Sequence, residues 1–108
     1  MSTKVKIDPG VCGLITEAEA IKTGRREVKL IVKSSCGSIT KMFETLGEDF
    51  NSFELCLVRP GKGPLFDYAS ENFPVHVSCP AIAGIIKAAE VECGLALKKD
   101  ASITFVEE

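Results

Sequence analysis

The hydrophobic rhythm of the chain changes once, and that change constrains the fold more than any other feature. Up to Ser34, apolar residues tend to recur at every second position; from Ile39 onward they recur at every third or fourth. Lys4 to Asp8 alternates Lys4, Val5, Lys6 and Ile7, the period of a half-buried strand, and Pro9-Gly10 interrupts it. Leu14 to Ile21 alternates again, with Leu14, Thr16, Ala18 and Ala20 opposing Ile15, Glu17, Glu19 and Ile21; Thr23-Gly24-Arg25 closes the run as a turn. Glu27 to Ser34 is the clearest strand, with Val28, Leu30 and Val32 on one face and Lys29 and Lys33 on the other. Short Gly-bearing connections join these runs, so they read as an antiparallel meander.

After Cys36-Gly37-Ser38, residues Ile39, Met42, Phe43 and Leu46 define one helical face, which Gly47 terminates. Phe50 to Val58 fits a short helix through Phe50, Phe53 and Leu57, although Leu55 to Val58 would also suit a buried strand; the helix is preferred. Arg59-Pro-Gly-Lys-Gly63 lacks the spacing and the following Ser/Thr of a phosphate loop and reads as a surface turn. Leu65 to Phe73 reads as a further short helix and Pro74 to Ser78 as extended chain. Pro80 opens the longest helix at a first-turn position, where its missing N–H costs nothing; Ile82, Ile85, Ile86 and Ala89 face inward and Gly94 falls near its end. Lys87 and Glu90 on this helix read as a solvated ion pair. Ser102 to Val106 reads as a last strand. The expected class is α+β: a three-stranded antiparallel meander packed on one face by helices, with an extra C-terminal strand. At 108 residues the chain supports a single domain, residues 1–108.

Composition excludes several functions. With 45% hydrophobic and 26% charged residues the chain is a folding one. A net charge of −2 lacks the basic footprint of a nucleic-acid binder. The longest apolar stretch, Pro80 to Leu97, is broken by Gly84, Lys87, Glu90, Glu92 and Gly94, so no membrane span is expected. Met1 to Lys6 has no apolar run behind its charges, so no signal peptide is expected and the expected location is cytoplasmic.

The chain carries 5 cysteines and no Cys-x-x-Cys, so any joint chemistry must come from the fold. With no export signal, reduced thiols are expected rather than a disulfide framework. Cys93 and Cys56 fall among apolar neighbours and read as small core residues. Cys12, Cys36 and Cys79 fall instead at the ends of elements, in Gly10-Val-Cys-Gly13, Ser-Ser-Cys36-Gly-Ser and Cys79-Pro80. Cys36 and Cys79 are placed at helix N-termini, where free N–H groups and the macrodipole favour a thiolate, the form that binds metal or attacks an electrophile. The spacing alone leaves two readings open: a shared metal site, or small residues tolerated at turns.

The segments Val-Cys12-Gly13, Ser-Cys36-Gly37-Ser38 and Val-Ser-Cys79-Pro-Ala-Ile-Ala resemble, in order and spacing, the three cysteine segments of the NifU/IscU-type iron–sulfur cluster scaffold proteins. The resemblance covers roughly Ile7 to Ala96 and implies that Cys12, Cys36 and Cys79 bind a shared cluster or metal. The chain departs from the family in four places, one of them the added strand expected at Ser102 to Val106. Leu14 stands where scaffolds carry the Asp implicated in cluster release. Ser78 stands where they carry His before the third cysteine. The Leu-Pro-Pro-Val-Lys chaperone motif has no counterpart. The sole histidine, His76, lies two residues before Ser78, about 7 Å back along an extended segment. The chain also looks like a small uncharacterised family of anaerobic microbes, in its early Cys-Gly and its Cys-Pro…Ile-Lys-Ala…Gly-Leu-Ala-Leu.

The preferred expectation is a metal- or cluster-binding module, not an enzyme. Cys12, Cys36 and Cys79 ligate an iron–sulfur cluster or Zn²⁺, and His76, water or an external group completes the set. A protein partner for cluster or metal transfer goes with it; nucleic acid and membrane do not. The alternatives are a structural or interaction domain with reduced cysteines, and a thiol enzyme with Cys36 or Cys79 as nucleophile and His76 as base.

Overall fold

The computed structural model describes residues 2–74 and 77–107. Three strands, β1 (Thr3–Ile7), β2 (Thr16–Gly24) and β3 (Glu27–Ser34), form the expected antiparallel meander. Helix α1 (Gly37–Leu46) follows, then a three-residue strand β4 (Asp49–Asn51), helices α2 (Ser52–Cys56) and α3 (Pro64–Asn72), and the long helix α4 (Ala81–Glu92). The sheet has four strands in the order β1-β2-β3-β4. This is the α+β class read from the sequence.

Side-chain alternation fixes the register. On the helix-free face, Lys4 stands opposite Glu19 and Lys6 opposite Glu17, and Glu17 is also opposite Lys33. Opposite charges stand across the strands, and a one-residue slip would drive them under the helices. The other face supplies Ile7, Ala18, Ala20, Val28 and Leu30 to a core completed by Ile39 and Met42 of α1, Leu55, Leu65, and Ile82, Ile85, Ala88 and Ala89 of α4. Helix α4 lies on β1 and β2 through its smallest residues. At Gly84 a Cβ would stand 2.5 Å from Cγ1 and 2.6 Å from Cδ1 of Ile7, so the helix sits where only glycine fits.

Glu92 sets the direction of α4. Its carboxylate accepts from the Thr3 hydroxyl (2.9 Å) and from the Lys22 N–H (3.2 Å), which pins the end of the helix to the Thr3 end of β1. Its start therefore lies at the opposite end of the sheet, beyond Ile7. Gly94, at φ 74°, terminates it, and the Leu95 N–H donates back to the Glu90 carbonyl (2.8 Å).

Five expectations are corrected. Ser102 to Val106 forms no strand: the residues are exposed and without regular structure, and the fourth strand is β4 instead. The segment Phe50 to Val58 begins as that strand: Phe50 pairs with Val28 before the chain turns into α2 at the cap Asn51, whose side chain accepts from the N–H groups of Phe53 and Glu54. Pro80 is the cap of α4 and not its first residue. Lys87 and Glu90 do not pair; among the described residues the ion pair found is Lys29–Glu48 at 3.6 Å. Within the expected extended run Pro74 to Ser78, Val77 and Ser78 lie in a turn, while Val75 and His76 lie outside the described residues. Among the described residues no helix is long and apolar enough to cross a membrane.

The close contact at Gly84 yields a signed prediction. Alanine in a helix interior gains about 1 kcal/mol over glycine, whereas overpacking costs about 1–3 kcal/mol. Gly84→Ala should lower the urea midpoint of the wild-type chain. In an Ile7→Ala background, where the obstructing atoms are gone, the same change should raise it.

Candidate functional site

The three cysteine segments gather at one end of the sheet. Cys12 lies in the loop from Ile7 to Thr16, and these two residues face each other across β1 and β2. Thr16 in turn faces Ser34 at the end of β3, two residues before Cys36. Cys79 precedes the start of α4, which the Glu92 hydrogen bonds place at this same end. Segments distant in sequence thus lie at the same end of the sheet because the meander and α4 both have ends there.

Cys36 is the most firmly held of the three. It caps α1 in an extended conformation, and its N–H donates to the Ser34 hydroxyl (3.0 Å), which also bonds the buried Thr16 hydroxyl (2.7 Å). The Thr40 hydroxyl donates to the carbonyls of Ser34 (3.1 Å) and Cys36 (3.2 Å), and the Ser35 N–H donates to the Ile15 carbonyl (3.1 Å). These bonds tie the strand-to-helix junction to β2 and hold Cys36 half-buried, packed against the core. The sequence signal for them, Ser34-x-Cys36 with Thr40 four residues on, goes unread in a motif search.

Cys12 and Cys79 are exposed. Cys12 sits in a tight loop: the Gly10 N–H donates to the Asp8 carboxylate (2.9 Å) and the Gly13 N–H to the Gly10 carbonyl (2.9 Å), with both glycines at positive φ. Next to these cysteines, Val11 and Val77 are fully exposed and Leu14 is 40% exposed, apolar neighbours that the cysteine spacing does not point to. Among the described residues no three His, Cys, Asp or Glu side chains form a ready-made metal-holding group. His76, the fourth-ligand expectation, lies outside the described residues.

Cys56 and Cys93 belong elsewhere. Both are half-buried against the core, where α2 meets the end of α4. Burial pushes the Cys56 thiol up to about 12 from an ordinary 9.0, with further push from Glu90 and Cys93 nearby. Burial also raises Cys93, against the opposing influence of a hydrogen bond with Ser52 and of Lys22. Thiols of this kind are poor nucleophiles, consistent with packing residues.

Fold and site together define a small α+β domain, one sheet face covered by helices and three cysteines borne on segments at one sheet end. The chain belongs to DUF6951, a family of unknown function, whose sequence profile matches residues 3–105. No curated protein and no solved structure matches it. The resemblance to a small uncharacterised family is compatible with this membership; a relation to the NifU/IscU-type scaffolds is not shown by it.

The Cys56 shift gives a pH prediction. The unfolded thiol ionises near 9.0 and the folded one near 12, so the unfolded state releases its proton first as pH rises. The associated stability is full below pH 9.0 and is lost toward pH 12. Cys56→Ala should show a shallower alkaline fall in denaturation midpoint than the wild type. Iodoacetamide should modify Cys12 and Cys79 first and Cys56 only on unfolding.

Proposed function

We propose that this domain binds a soft metal ion or an iron–sulfur cluster through Cys12, Cys36 and Cys79, and passes it to a protein partner. The observation that carries the reading is topological. The segments that carry Cys12, Cys36 and Cys79 all end at one end of the sheet, with Cys12 and Cys79 exposed and Cys36 half-buried, while Cys56 and Cys93 lie half-buried where α2 meets the end of α4. Three thiolates with one exchangeable position suit Zn²⁺ or a cluster, and soft sulfur donors select such metals over Mg²⁺ or Ca²⁺. Loading would release thiol protons and draw the exposed Cys12 and Cys79 loops onto the fixed Cys36. The resemblance of the three segments to NifU/IscU-type scaffolds supports a transfer role. Leu14 in place of the release carboxylate implies slower discharge than from an Asp-bearing scaffold. The exposed Val11 and Val77 are the kind of surface a protein acceptor covers.

A second reading, an interaction domain with reduced cysteines, is favoured by the lack of a ready-made ligand group among the described residues. Purification without oxygen, followed by iron, sulfide and zinc analysis, separates the two. Stoichiometric metal that is lost in Cys36→Ser and Cys79→Ser but retained in Cys93→Ala is the expected result. Chelator should lower the melting temperature of the loaded wild type and leave that of Cys36→Ser unchanged. Metal-free protein, or variants that all behave alike, would leave the interaction-domain reading standing.

A further inference from the structure

The segment after α4 presents apolar side chains to water to a degree that a finished surface rarely does. Phe105 is 98% exposed, Ile103 and Val106 are 84% exposed, and Leu97 is exposed beside them. Isolated exposed apolar residues are ordinary; a run of them built from Ile, Thr, Phe and Val is a strand sequence without a sheet. As a strand, Ser102 to Val106 would put Ile103 and Phe105 on one side and Ser102, Thr104 and Val106 on the other.

The sheet has a matching vacancy. Strand β1 is an edge, and among the described residues it pairs only with β2. It is five residues long, the length of Ser102 to Val106. Its Lys4 and Lys6 lie on the helix-free face, so the helix-side face of the edge carries only Thr3, Val5 and Ile7. On the helix side of β1, Val5 is only half-buried, which leaves an apolar shelf beside the edge. The family profile, residues 3–105, begins at β1 and reaches Phe105, so edge and segment both belong to the region the family shares.

We propose that Ser102–Val106 adds as a strand to the β1 edge of a second copy of this chain, with Ile103 and Phe105 covering the Val5 shelf, and that the exchange is reciprocal. The Glu92–Thr3 hydrogen bond brings the segment out of α4 at the Thr3 end of β1. Residues 93–101 extend to roughly 30 Å, enough to reach β1 of the same chain. Within one chain the segment is unpaired and exposed, and every copy of the chain carries both this segment and the open β1 edge. A second copy supplies the complementary edge at equal concentration, and reciprocal exchange covers both edges by one two-fold arrangement.

Sedimentation equilibrium and amide hydrogen exchange on the full chain test this. Expected are a dimer with slowed exchange at residues 102–106 and along β1, and conversion to a monomer by removal of residues 102–108 or by Phe105→Asp. The thermal midpoint of the monomeric variants, measured in dilute solution, should equal that of the dissociated wild type. A dimer that survives truncation overturns the proposal. So does a wild type that stays monomeric at every concentration, whether residues 102–106 are protected on their own sheet or unprotected. So does a dimer lost on truncation without faster exchange in β1.

Discussion

The seat of α4 on β1 and β2 governs the rest of this structure. A helix can lie this close to a sheet only if the residues between them are small. Gly84 meets Ile7 without a Cβ, and Ala81, Ala88 and Ala89 are buried in the same core as Ala18 and Ala20 of β2. Burial of Ile82 and Ile85 beside these small residues supplies the apolar area that holds the helix down. The carboxylate of Glu92 then removes the remaining freedom, because it bonds Thr3 and Lys22 only when the helix runs from the Ile7 end toward the Thr3 end.

Two consequences follow from that direction, one at each end of α4. At its start, Cys79 is delivered to the sheet end already occupied by the Cys12 loop and the Cys36 junction. At its finish, the segment after Gly94 is released next to the open edge of β1. The proposed metal site and the proposed association surface thus lie at opposite ends of one helix. The site end combines a fixed element with exposed ones. Cys36 is held by Ser34, Thr16 and Thr40, whereas Cys12 stands on a turn and Cys79 follows one, both exposed. An anchored thiol with two exposed partners suits a site that loads and unloads a metal, since closing needs movement only in the loops.

Much of this was legible in the residues because local and tertiary preferences agree. The alternation of Val28, Leu30 and Val32, the face Ile39-Met42-Phe43-Leu46 and the stop at Gly47 all reappear as read. Strand β4 was not legible: a three-residue strand with one inward apolar residue, Phe50, has no measurable period, and its pairing with Val28 is decided by the sheet. Ser102 to Val106 fails for the converse reason. Strand propensity needs a neighbouring strand, and its own chain places none beside it. In the site, positions at element ends marked Cys12, Cys36 and Cys79, but no spacing rule could say that their elements end together; that depends on α4. The network around Cys36 was hidden because Ser34 and Thr16 look like ordinary strand-end residues until β2 and β3 pair.

The central claim is that three cysteines share one sheet end closely enough to act as a unit. Arsenite tests it without presuming the native metal, because one As(III) condenses with three thiols, releases three waters and changes no oxidation state. Intact mass after treatment of the reduced protein, with mapping of the thiols left free, reads the result directly. The account predicts one arsenic per chain, with Cys12, Cys36 and Cys79 consumed and Cys56 and Cys93 free. Arsenic held by the Cys56 and Cys93 pair, or no three-thiol adduct under native conditions, would contradict it.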